Sequence, residues 1–324
     1  MRSIRKQPRR STATLLTFLL VALASACGST PTSSSNTPVK INVGVMPLAA
    51  VAPVYLGIDK GFFQREGLEV VPKQAQGGAA LIPAVLSGDM QFAYGNNVSA
   101  IIANSKDLPI RVIANGNDES TQQKNANSTV VSNNDSDINK PSDLAGKTIS
   151  VNTLDNVGEV TIKAALEKHE VDVSQIKFVE LGFPDMLAAL GQDNVDAAWL
   201  VTPFTEQAQD AGKKIILRPF YDTKPGLSIA SYFTSKEFID KDPKTVHKFA
   251  DAINKSMAYA EDHPKELRAA VREFTDIPDD ALNTMPLPEF STNMPTNDLT
   301  MVANLMEKYD IINDVPSLDD LIWE

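Results

Sequence analysis

Residues 39–94, VKINVGVMPLAAVAPVYLGIDKGFFQREGLEVVPKQAQGGAALIPAVLSGDMQFAY, decide the fold. Ile41–Val45 alternates as a strand, and residues 54–63 read as a helix running into a turn. Leu68–Val71 is a second strand. Residues 80–86 form a helix whose Pro83 is tolerable only near the first turn, because proline lacks the N–H that later turns use. Gly88-Asp89 then turns the chain into a third strand, Met90–Tyr94, and Arg111–Ala114 is a fourth. Strands separated by helices predict a parallel sheet covered on both faces.

The same order recurs further on. Lys147–Val151, Ile176–Val179 and Val195–Trp199 read as strands, with helices at 160–169 and 186–190 between them. At an offset of 104 residues Leu86 and Asp89 lie over Leu190 and Asp193, and Ala93 lies over Ala197. One strand–helix–strand–helix–strand unit is thus expected twice. After Pro225 come one more strand, Ile229–Phe233, and helices at 243–260, 264–274 and 297–309, broken by the Pro-rich stretch TMPLPEF at 284–290. Two similar lobes with a tail returning to the first make a two-lobed clamp. Residues 39–117 and 226–324 are expected in lobe 1 and 118–225 in lobe 2, with crossings near 115–118 and 221–226.

The N-terminus is organised differently. Arg2, Arg5, Lys6, Arg9 and Arg10 precede an apolar run at 15–23 and the small residues Ala24-Ser25-Ala26. That is the plan of a secretory signal at 1–26, and the run is short for a membrane span. Cys27, the single cysteine, follows directly. It has no internal disulfide partner, and its setting resembles the lipobox of bacterial lipoproteins, with Ala24 where a larger aliphatic residue is usual. Acylation at Cys27 is expected, anchoring the protein on the outer face of the cell membrane. Residues 28–38, small, polar and Pro-containing, then serve as a flexible tether.

The whole chain carries 30 Lys+Arg against 41 Asp+Glu. Without the five basic residues of the signal the balance is 25 against 41, a net charge near −16. Such a surface repels nucleic acid and anionic headgroups.

No reactive constellation is visible. His169, His247 and His263 stand singly in charged helical settings, and no HExxH, paired Cys/His, GxSxG, Walker or GxGxxG pattern occurs. No metal or cofactor is expected. What remains are polar and flexible residues where strands end, the place at which open α/β sheets bind ligands. In the first lobe these are Pro47, Leu48 and Ala49, then Gly77 and Gly78, then Asn96 and Asn97. In the second they are Thr153, Asn156, Trp199, Thr202 and Pro203. Thr202 reads as an N-cap with Pro203 at the first helical position. Asn97 and Trp199 are expected to touch one ligand, although Trp199 also fits the core of a buried strand.

Pro53–Phe63 with Glu66–Val70, then Gly77-Gly78, Leu86–Asp89, Asp143–Lys147, Ala188–Leu190, Val195–Ala197 and Pro203 together resemble one family. It is the nitrate/sulfonate/taurine-binding group, with its binding proteins for thiamine pyrimidine precursors, among type II periplasmic solute-binding proteins. The resemblance implies a type II periplasmic-binding-protein clamp, each lobe a mixed, mostly parallel sheet flanked by helices. It also implies a monomeric binding protein that passes a small organic solute to the permease of an ABC importer. Many relatives have Glu where this chain has Thr202. The named pocket positions carry no Arg or Lys, which favours a neutral or heteroaromatic solute over an anion. Two alternatives stay open: a pyrimidine-synthase-like enzyme on the same fold, whose cysteine-rich motif is missing here, and a surface sensor presenting ligand to a receptor.

Overall fold

The computed structural model describes residues 37–75, 77–275, 277 and 279–323. The expected signal segment and Cys27 lie outside the described residues. Among the described residues no helix is long and apolar enough to cross a membrane.

Among the described residues ten strands form two five-stranded sheets: β1 (Val39–Val45), β2 (Leu68–Gln74), β3 (Phe92–Asn96), β4 (Ile110–Asp118), β5 (Ser128–Ser132), β6 (Thr148–Val151), β7 (Lys177–Glu180), β8 (Ala197–Val201), β9 (Lys214–Leu217) and β10 (Ser228–Ser235). The first sheet has the order β2-β1-β3-β10-β4 and the second β7-β6-β8-β5-β9. In each, the order is the same and one strand is reversed. β10 runs antiparallel to both β3 and β4, and β5 runs antiparallel to both β8 and β9. The remaining pairs are parallel. The mixed, mostly parallel two-sheet clamp is therefore what the chain builds.

The reversed strand of each lobe is the first strand laid down after the chain arrives from the other lobe. The chain leaves the first sheet at Asp118 and enters the second at Ser128, then leaves at Leu217 and re-enters at Ser228. The amino end of a reversed strand lies beside the carboxyl ends of its parallel neighbours. Both arrivals thus come in on the side where ligands bind open sheets. The tail meets the first sheet at two points: Val112 N–H donates to Leu321 O (2.7 Å), and Asp118 N–H donates to Glu289 O (2.8 Å).

Each sheet is sealed by helices. The helix Pro243–Asp262 lays Phe249 flat on Phe92, centroids 4.0 Å apart, and beside Phe63. Such pairs add about 0.5–1.5 kcal/mol each beyond the area they bury. In the second lobe Trp199, in the middle of β8, packs between Phe183 and Phe220.

Three local expectations need correction. Pro83 is the sixth residue of the helix Gly78–Leu86, beyond its first turn. Its ring lies on the exposed side, so the lost hydrogen bond faces solvent rather than the core. Thr202 does not cap the next helix, which runs Phe204–Asp210 with Pro203 at its cap position. The Thr202–Pro203 peptide is cis, and the Thr202 hydroxyl donates instead to Asn127 O (3.3 Å). Finally, β5 and β9 are strands that the sequence reading passed over.

Candidate functional site

A cavity of about 40 Å³ lies between the two sheets. That holds roughly three waters, the space of one small ring. Met46, Leu48, Ala50, Ile229, Ala230 and Pro288 line it from the first lobe and its tail, with Tyr94, Asn96 and Asn117. Asn152, Val157, Phe183, Trp199, Val201, Thr202 and Phe220 line it from the second, and Asn127 lines it from the end of the first crossing. The walls are mostly apolar and aromatic, with a small set of neutral polar groups and no Asp, Glu, Lys or Arg. That is the usual make-up of a small-molecule pocket.

The two lobes differ in how their polar groups are occupied. On the first lobe, Asn96 accepts Ser99 N–H at the start of the helix Asn97–Ser105 (2.9 Å), and Tyr94 Oη donates to Asn117 Oδ1. On the other side Asn127 Oδ1, Asn152 Oδ1 and Trp199 Nε1 are buried without a partner among the described residues. Asn127, Asn152 and Trp199 are 2 %, 9 % and 1 % exposed. Buried polar atoms are nearly always paired, so a cluster of three around one cavity marks where a ligand's atoms belong.

Carboxyl groups stand behind this wall. Glu119, fully buried on the first crossing, accepts Ser120 N–H (2.6 Å) and Asn127 N–H (3.0 Å). Burial pushes its carboxyl up to about 8. Glu206, one turn beyond Thr202, is likewise buried, and burial pushes it up to about 7.

Of the residues singled out from sequence, Leu48, Asn96, Trp199 and Thr202 line the cavity. Trp199 is 1 % exposed in the core of β8 and also lines the cavity. A second group forms the seam where the lobes meet. Ala49 N–H donates to Thr202 O (3.2 Å), and Asn156, which caps the helix Val157–Glu167, donates from Nδ2 to Ser99 Oγ (3.1 Å). A methyl on Gly77 would stand 2.9 Å from Thr153 Oγ1. Pro47 adjoins Leu48 without lining the cavity, Gly78 opens its helix, and Pro203 sits behind Thr202.

Asn97 is not at the cavity. Its Nδ2 donates to Ser228 O (3.0 Å) and its Oδ1 accepts from Ser231 Oγ (2.7 Å), so the amide ties a helix start to β10. Asn117, Asn127 and Asn152 were missed. The signal that leads to Asn127 is the reversed strand: in β5 it is the amino end, not the carboxyl end, that faces the cleft.

Three comparisons place the chain. The family model described as NMT1/THI5 like matches residues 49–267. The taurine-binding periplasmic protein of Escherichia coli is 25 % identical over 221 residues, 68 % of this chain and 67 % of that protein. The formylaminopyrimidine-binding protein of Halalkalibacterium halodurans is 26 % identical over 186 residues, 56 % of this chain and 54 % of that protein. Among solved structures, the alkanesulfonate-binding protein SsuA of Xanthomonas axonopodis bound to MOPS superposes with a TM-score of 0.73 at 14 % identity, covering 88 % of this chain and 98 % of that one. These relatives are binding proteins rather than enzymes. A model matching two thirds of the chain, on a clamp that those structures share, identifies the chain as a member of the NMT1/THI5-like family.

Proposed function

We propose that this protein is the extracytoplasmic solute-binding component of an ABC importer, and not an enzyme. It holds one small organic solute between its lobes and delivers it to a membrane permease. The observation that carries this reading is the interlobe cavity with its three unpartnered polar atoms. Relatives named for taurine and formylaminopyrimidine support a solute of sulfonate or pyrimidine type. The sequence around Cys27 supports a lipid anchor that keeps the protein beside its permease on the outer face of the membrane.

Two measurements test this. Native mass spectrometry of the full chain, gently purified from its own cells, should show one bound small molecule per protein. Deleting the gene should abolish uptake of that molecule. A protein that never carries a solute, or uptake unaffected by deletion, contradicts the proposal.

A further inference from the structure

We infer that the cavity selects an uncharged, flat solute bearing two N–H donors and one acceptor, and that it rejects sulfonates and other small anions. This rests on the solute-binding reading above and narrows it. The three orphaned atoms set the pattern. Asn127 Nδ2 is held by Asp118 O (3.4 Å), which turns its Oδ1 the other way. Asn152 Nδ2 lies toward Gly77, 3.4 Å from where a methyl there would stand, and this leaves its Oδ1 free as well. Two amide oxygens therefore ask for donors, while Trp199 Nε1 can only donate and asks for an acceptor.

An anion meets the wrong surroundings. Among the described residues no cationic side chain lines the cavity. Taking an unpaired charge out of water is far more costly than burying a neutral amide that finds its hydrogen bonds. Amide oxygens repel a sulfonate. Helices begin at the cavity, and their amino ends carry partial positive charge. Two of them are capped by side chains: Asn96 Oδ1 accepts Ser99 N–H, and Asn156 Oδ1 accepts Val157 N–H (2.9 Å); the helix Phe183–Gly191 has no side-chain cap. These caps take N–H groups that an anion would use.

The shape argument is independent of charge. Trp199, Phe183, Phe220 and Tyr94 present rings to a space the size of one small ring. Asn152 and Trp199 belong to the second lobe, and Asn127 directly precedes its strand β5. The solute therefore docks on the second lobe through its polar edge, and the first lobe closes over it with polar groups that are already paired.

The test is isothermal titration of the full chain in detergent micelles with four probes: cytosine and nicotinamide, which are uncharged at pH 7, and taurine and ethanesulfonate. Cytosine or nicotinamide should bind at least tenfold more tightly than either sulfonate. Trp199→Phe keeps an aromatic face but removes the pyrrole ring with its N–H, and should weaken that binding five- to thirtyfold. Asn152→Ala should weaken it ten- to a hundredfold. The melting temperature without ligand shows whether each variant is folded. A sulfonate binding within tenfold of the better neutral probe overturns the inference while leaving solute capture standing. Failure of both neutral probes at millimolar concentration overturns it too. Loss of solute capture itself would appear separately, as a purified protein that carries no small molecule.

Discussion

A methyl group on Gly158 would stand 2.8 Å from Cε3 and 3.0 Å from Cζ3 of Trp199, so the indole packs directly on the backbone of the helix that opens at Val157. Phe183 and Phe220 complete its cage. The position of the cavity's one indole N–H is thus set by a residue with no side chain. Gly158→Ala forces either the helix or the indole to shift, at about 1–3 kcal/mol of stability. Ligand affinity should fall together with a change in tryptophan emission. An unchanged spectrum with unchanged affinity would show that the indole is not pinned in this way.

Asn97 gives the opposite expectation from the one its sequence position suggests. Its amide joins Ser228 and Ser231, not the cavity. Asn97→Ala should cost about 1–3 kcal/mol in denaturant unfolding, because the buried groups on β10 lose their partner. Affinity per folded molecule should stay within about twofold. A large affinity loss without destabilisation would return Asn97 to the site.

Stability should fall as pH rises through neutrality. Burial holds the Glu206 carboxyl at about 7 and Glu119 at about 8, against an ordinary value of 4.5. Between pH 4.5 and these values the folded chain keeps protons that the unfolded chain has released. The contribution of both groups is therefore full below pH 4.5, declines toward 7 and 8, and is flat above. Glu206→Gln, neutral at every pH, should raise stability by about 1–3 kcal/mol at pH 8 and leave it unchanged near pH 4.5. Melting curves at both pH values check this, and equal shifts at the two would refute it.

The seam between the lobes gives a test of closure. Gly77 faces Thr153, and Ser99 faces Asn156. Gly77→Val places a branched side chain where even one methyl is already tight, and should hold the lobes apart. Small-angle scattering with a saturating ligand should show the wild type contract and the variant remain larger. Identical radii would mean that the seam does not limit closure.

Cys27→Ser tests the anchor. The wild type should partition into detergent and the variant into buffer, or remain as an uncleaved precursor. Wild-type protein found in buffer would rule out acylation.

Much of this architecture was legible because hydrophobic periodicity marks parallel strands well. β1, β2, β3, β6, β7 and β8 all show it, and the resemblance around residues 53–70 pointed to the same clamp. β5 was not legible. Its core, Thr-Val-Val, is short and sits among Asn and Ser, so its strand character comes from the two neighbours that bury it and not from pattern. The site divided the same way. Leu48, Asn96, Trp199 and Thr202 follow from the rule that ligands sit at the carboxyl ends of parallel strands. Asn127, Ile229 and Ala230 sit at the amino ends of reversed strands, where that rule does not look. Asn97 was misplaced because neighbouring residues at a helix start point in different directions, one to the cleft and one to β10.

The placing of β10 also governs the order in which the molecule can form. It lies between β3 and β4, so β4 has no strand beside it until Ser228–Ser235 has been made. The whole second lobe is synthesised in that interval. A ribosome carrying only the first 220 residues therefore displays a first lobe with a missing stave and an open edge, the kind of edge that attracts wrong partners. Contacts spanning more than a hundred residues are slow to form. The molecule stays unlatched until late, and its third quarter decides when a sheet begun at Val39 becomes native.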